Sequence, residues 1–143
     1  MARTPFPVEV LTPEGRVFEG EVEMLSTRTE VGEIGVLANH TPVLAMLAPA
    51  ELRLHMSETE VTRFAQGEGY LQVHDNHALV LVEDCVEPNA VDRDQCREQL
   101  AKAEQTIKEI GHHSSEQQQE ARFERALRDR RRAETFLRVA GES

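Results

Sequence analysis

Glu33 and His40 are the residue types of an acid–base pair, and they stand seven positions apart in the stretch Gly32-Glu33-Ile34-Gly35-Val36-Leu37-Ala38-Asn39-His40-Thr41-Pro42. Neither has a nucleophile partner, a third orienting group or a Ser or Cys elbow nearby in the chain, so they read better as exposed loop polars than as catalysts. Cys85 and Cys96 lack Cys or His neighbours at ligand spacing, so small reduced packing residues are expected and a zinc site is not. His74, His77, His112 and His113 show no ligand spacing either and read as solvated. The Gly67-x-Gly69 pair is too short to cradle a phosphate and reads as a strand-end turn. The arginines at 128, 130, 131 and 132 read either as a solvated helix face or as a partner-binding one. No catalytic residue and no metal ligand is therefore expected.

Charge narrows the classes of partner. The net charge is −10, and residues 1–86 hold five Arg and no Lys against 14 acids. Residues 87–143 hold 11 basic residues against 12 acids, and seven Arg face four acids within 121–143. An acidic body speaks against nucleic acid, whose phosphates need a basic surface. The basic end suits an acidic surface on another protein. No apolar run approaches the roughly 20 residues that span a bilayer, and the first seven residues lack a secretory or organelle-targeting pattern. A bacterial-type cytoplasm is the simplest compartment.

The elements that must position these residues fall into two groups, 1–87 and 88–143. Phe6, Val8 and Val10 alternate before the turn Thr12-Pro13-Glu14-Gly15, and Glu21-Val22-Glu23-Met24 alternates as well. Leu52, Leu54 and Met56 alternate with Arg53 and His55, a strand with one wet face. Residues 61–65 and 70–74 are further strands. Asp75-Asn76 makes a turn, and Ala78-Leu79-Val80-Leu81-Val82 suits a buried strand. Gly32 and Gly35 permit turn conformations, and Asn39-His40-Thr41-Pro42 is a turn cluster ahead of an apolar strand. Many short strands with Gly and Pro between them predict a sandwich or barrel.

After Pro88 the period changes. Asn89 or Asp92 can cap a helix whose stripe is Cys96, Leu100, Ala103, Ile107 and Ile110, with Gly111 able to end it. His112-His113-Ser114 connects, and Ser115 with Gln118 forms a capping box for a second helix. Its stripe is Phe123, Ala126, Arg130, Ala133, Leu137 and Ala140, in which Arg130 stands where an apolar residue belongs. Two such helices should pair antiparallel. With stripes so reliant on Ala, the hairpin is expected to be only marginally stable alone.

Five pieces, in order, carry a family resemblance: Val8 to Gly15, Val17 to Val22, Gly32 to Pro42, Gly67-Glu68-Gly69-Tyr70-Leu71-Gln72-Val73, and Val80 to Asp84 followed by a helical tail. The block from Gly32 resembles the motif GEIGILPNHAP of the epsilon subunits of bacterial rotary ATP synthases, with Ala38 in place of the usual Pro. Ala50 likewise replaces a frequent Gly. The resemblance implies an α+β fold: an N-terminal β-sandwich of about ten strands, then a C-terminal antiparallel two-helix hairpin. It implies a non-catalytic rotor component whose sandwich (1–87) meets the gamma subunit and the c-ring. The hairpin (88–143) would reach the alpha and beta subunits of the catalytic head and inhibit ATP hydrolysis.

By that resemblance Glu33 and His40 lie on a loop facing the c-ring or gamma. Arg122, Arg125, Arg128, Arg130, Arg131 and Arg132 belong to an inhibitory helix, whose planar guanidiniums suit carboxylate partners. Of the Asp-x-x-Arg-Ala run that binds ATP in some members, Asp92 is the only match. Gln95 and Cys96 replace the Arg and Ala, so weak or absent ATP binding is expected, although Arg93 lies close enough to compensate. The resemblance implies no cofactor, no direct lipid insertion, and a peripheral place on the cytoplasmic face of a bacterial inner membrane. A free-standing β-sandwich adaptor is the alternative from another class, and a small enzyme using Glu33 and His40 is a third.

Overall fold

The computed structural model describes residues 3–110 and 117–141. The described residues form ten strands followed by two helices, an α+β fold. In chain order the strands are β1 (Phe6–Thr12), β2 (Gly15–Val22), β3 (Met24–Thr29), β4 (Gly32–Val36), β5 (Val43–Leu47), β6 (Ala50–His55), β7 (Val61–Gln66), β8 (Gly69–His74), β9 (His77–Val82) and β10 (Cys85–Val86). A 3₁₀ turn at Pro88–Ala90 leads to α1 (Arg93–Ile110) and α2 (Gln117–Val139).

One layer has the strand order β2-β1-β9-β8-β5, the other β3-β6-β7-β10 with β4 on the far side of β3. They meet where Thr29 of β3 pairs with Leu47 of β5. Pairing is antiparallel except between β1 and β9, where Val8↔Ala78 and Val10↔Val80 run parallel. The period-2 pattern sends Phe6, Val8, Val10, Leu25, Leu52, Leu54, Leu71 and Val80 into one core between the layers, each at most 1% exposed.

Two hairpins share one turn chemistry. In Thr12-Pro13-Glu14-Gly15 and Thr29-Glu30-Val31-Gly32 the Thr hydroxyl accepts from the backbone N–H two residues on and donates to the Gly carbonyl three residues on. The closing glycines have φ of 131° and 140°, where a side chain would be strained. Asp75 and Asn76 both take positive φ, which makes the tight β8–β9 turn.

Three local expectations change. The alternating run Glu21–Met24 is not one strand, because β2 ends at Val22 and β3 begins at Met24 as the chain crosses between layers. The Glu23 N–H is turned to the carbonyl of His55, 2.8 Å away. Gly35 makes no turn either. It lies within β4, where a Cβ would meet Met24 Cε at 2.9 Å, so it serves close approach.

The third change concerns the stripe of α2. Asp92 caps α1 as expected, its Oδ1 accepting from Gln95 N at 3.0 Å, and Cys96, Ala103 and Ile110 are buried. On α2, Ala126 and Ala133 are buried, but the burial then runs through Thr135, Phe136 and Val139, while Leu137 and Ala140 are only partly covered. The last two turns face the sandwich rather than α1 alone. Arg130 lies beside the stripe and reaches Glu134 at 3.8 Å. The expected helix end at Gly111, the His112-His113-Ser114 connection and the capping box begun by Ser115 lie outside the described residues.

Candidate functional site

Strand β4 and its loop hold Glu33 and His40 apart. Glu33 is exposed and faces Arg28 across the β3–β4 pair. From Glu33 to Leu37 the extended chain covers about 13 Å at the strand rise. His40 stands at the far end, its N–H donating to Leu37 O at 3.2 Å and its Nδ1 lying 2.6 Å from Thr41 O. Asn39, with φ 62°, donates its N–H to Asn76 Oδ1 at 2.7 Å and so ties this loop to the β8–β9 turn. The two side chains are thus positioned as separate surface groups. Among the described residues, no group of three or more His, Cys, Asp or Glu is placed to hold a metal ion.

The strand alternation that fills the core leaves an apolar outer face on β5-β8-β9-β1. The register aligns Met46, Tyr70, Leu81 and Leu11 in one row, and Leu44, Gln72, Leu79 and Glu9 in the next. Leu44 is 72% exposed and Met46 58%, with Tyr70 and Leu81 also exposed. The expectation that residues 78–82 form a wholly buried strand is therefore half right: Ala78, Val80 and Val82 are buried, and Leu81 points to the uncovered face. A groove of about 560 Å³ runs along the first row, with Glu30, Glu68 and Glu83 at its edge. Single exposed apolar residues are ordinary, but a row across neighbouring strands is a candidate docking face.

The opposite layer carries the helices. Phe136 and Val139 of α2 pack with Ala65, Val91 and Cys96. Arg132 pins this contact: its Nε donates to Asp84 Oδ2 at 3.0 Å, its Nη1 to Gln99 Oε1 at 2.8 Å, and its Nη2 also to Asp84. The guanidinium carbon stands 4.1 Å from the Phe136 ring centre. Burial pulls the Arg132 pKa down, but hydrogen bonds to Asp84 and its charge outweigh this and hold it above the ordinary value.

Other arginines of α2 also meet carboxylates within the chain. Arg131 meets Glu30 at 3.3 Å, and Arg122 meets Glu109 on α1 at 3.4 Å. Arg125 and Arg128 line a cleft with Glu68 and Glu83. Burial, then the charge of Glu83, pushes the Glu68 carboxyl up, with Arg128 pulling the other way. Arg93, considered above as a phosphate ligand, instead donates to the carbonyl of Ala140 at the end of α2. These acidic partners on the sandwich were not legible as a group, because Glu30, Glu68 and the Glu83-Asp84 pair come from three separate turns. The apolar face did leave a signal, in that Leu44, Met46, Leu79 and Leu81 stand where a wet strand face would be polar.

Comparison with known proteins bears on these surfaces. Residues 5–88 match the family described as ATP synthase, Delta/Epsilon chain, beta-sandwich domain. The ATP synthase epsilon chain of Persephonella marina is 35% identical over 136 residues, covering 95% of this chain and 96% of that one. That of Halalkalibacterium halodurans is 34% identical over 134 residues, covering 94% and 96%. In fold the chain resembles one in the Euglena gracilis mitochondrial ATP synthase OSCP/F1/c-ring structure, at TM-score 0.72 and 20% identity over 93% of this chain and 81% of that one. It also resembles one in the Tetrahymena thermophila mitochondrial ATP synthase central stalk/c-ring structure, at TM-score 0.68 and 16% identity over 96% and 98%. A sandwich with one uncovered apolar face, a helical pair folded onto the other, and two relatives matched over nearly their whole length together show that this chain belongs to the ATP synthase epsilon chain family.

Proposed function

We propose that the chain is a non-catalytic subunit of the central stalk of a bacterial, proton-translocating F-type ATP synthase, peripheral to the inner membrane on its cytoplasmic side. In this reading residues 1–87 dock to the gamma subunit and the c-ring, and residues 88–143 form a regulatory unit. The observation that carries it is the exposed apolar row of Met46, Tyr70 and Leu81, with Leu44 beside it, on a rigid sandwich. Gamma would cover that face. Glu33 and His40, on and after β4, would face the c-ring. The arginines of α2 would contact acidic surfaces of alpha and beta after leaving their partners on the sandwich, and so restrain ATP hydrolysis.

The test is binding. Met46→Glu with Tyr70→Glu places two charges in the covered centre of that face and should lower affinity for gamma at least about 100-fold, as expected at an interface centre. Unchanged affinity for gamma would refute the assignment of the face. For the regulatory part, a chain ending before residue 88 should raise membrane ATP hydrolysis with coupling retained, and an unchanged rate would remove that role.

A further inference from the structure

Glu30, Glu68 and Glu83 stand on a ridge between two surfaces. Glu30 occupies the β3–β4 turn, and its N–H donates to Met46 O at 3.0 Å, at the end of the apolar row. The Glu83 N–H donates to Glu68 O at 2.9 Å where β8 and β9 meet. On one side the three line the groove with Met46, Tyr70 and Leu81. On the other, Glu30 pairs with Arg131, and Glu68 and Glu83 line the cleft with Arg128. Arg132 is committed to Asp84, so Arg125, Arg128 and Arg131 answer the four carboxylates of Glu30, Glu68, Glu83 and Asp129. The imbalance leaves negative charge facing the groove, which suits a cationic group beside an apolar one.

We propose that Glu30, Glu68 and Glu83 are a shared docking ridge: Arg128 and Arg131 hold it in this compact form, and a gamma segment that seats an apolar side chain beside Tyr70 with a lysine or arginine next to it takes the same carboxylates and so loosens α2. This rests on the reading of the apolar face as the gamma-docking face. Docking of the sandwich and release of the helices are then one exchange of ion pairs rather than two independent events.

Amide hydrogen exchange on the full chain, alone and saturated with gamma, tests it. Gamma should protect β5 and β8 and speed exchange in residues 119–139. The Glu30→Gln, Glu68→Gln, Glu83→Gln variant should reproduce the faster helix exchange without gamma, by about fivefold, the scale of two or three part-exposed pairs. Raising salt should speed the wild-type helix more than that of the variant, which of the described ion pairs to the sandwich keeps only Arg132–Asp84; loss of apolar packing would not produce that difference. Protection of β5 and β8 with unchanged helix exchange would overturn the proposal while leaving the docking face in place. No protection of β5 and β8 would overturn both. A variant whose helix exchanges like the wild type would overturn the proposal whatever gamma does.

Discussion

Removing the Arg132 side chain's hydrogen bonds should free α2 from the sandwich more than any other surface-charge change. Arg132→Met keeps an unbranched stem over Phe136 but deletes the donations to Asp84 and Gln99. A fully buried pair broken this way costs about 3–5 kcal/mol, and an exposed one below about 1 kcal/mol. The two side chains here are 24% and 32% exposed, between those limits. Hydrogen bonds to charged groups are worth about 1.5–3 kcal/mol, so a net loss of about 2 kcal/mol is expected. At about 1.4 kcal/mol per tenfold, opening of α2 rises roughly 30-fold. Amide exchange in residues 126–139 reads it directly, with β1 and β9 as an unaffected internal standard. Asp84→Asn should be non-additive with Arg132→Met. A change below about twofold, or independent effects of the two substitutions, would refute the reasoning.

Further consequences follow from the core and its rim. A Cβ at Gly69 would stand 1.9 Å from Leu81 O, so Gly69→Ala should lower the urea midpoint by the equivalent of about 2 kcal/mol or more, whereas Gly20→Ala, which meets only the Phe18 ring at 3.3 Å, should cost less. Burial, with Asp84 adding to it, pushes the Cys85 thiol up to about 12, so Cys85 should resist alkylation at pH 8 in the native protein and react on unfolding. At Glu51 burial pushes the carboxyl up, but hydrogen bonds from Arg63 and Arg53 prevail and hold it below 4.5. The unfolded state then binds more protons as pH falls through and below that value, so stability drops there, and Glu51→Gln should flatten this acid limb of the denaturation midpoint. With Gln95 in the arginine position of the ATP-binding run and Arg93 engaged at Ala140, calorimetric titration with Mg-free ATP should show little or no binding, and micromolar affinity would overturn this.

Local periodicity carried much of this fold. Leu52 and Leu54 are wholly buried in β6 because alternation is a short-range property that any strand must satisfy against one core. Asp92 caps α1 because a carboxylate three residues before an amide bonds it locally. The turn at Asp75-Asn76 is legible for the same reason. The strand β4 was hidden because Gly32 and Gly35 read as breakers. Only the neighbour Met24 on β3, packed against Gly35, shows why a residue without a side chain belongs there. The end of α2 was misread by one face, because Phe136 and Val139 answer to Ala65 and Val91 on other elements as well as to Cys96 of α1.

The candidate site divides along the same line. Charge segregation, the basic final helix and the apolar positions of 43–47 and 78–82 are properties of the sequence and need no fold to be seen. Which carboxylates meet which arginines is not, since Asp84 and Arg132 are 48 residues apart and Glu30 and Arg131 are 101 apart. Ion pairs are short-ranged and depend on where turns from different hairpins come to rest. Composition thus determined that a basic helix would seek acids. The stacking of the β3–β4, β7–β8 and β9–β10 turns along one side of the sandwich decided that it finds them first within its own chain.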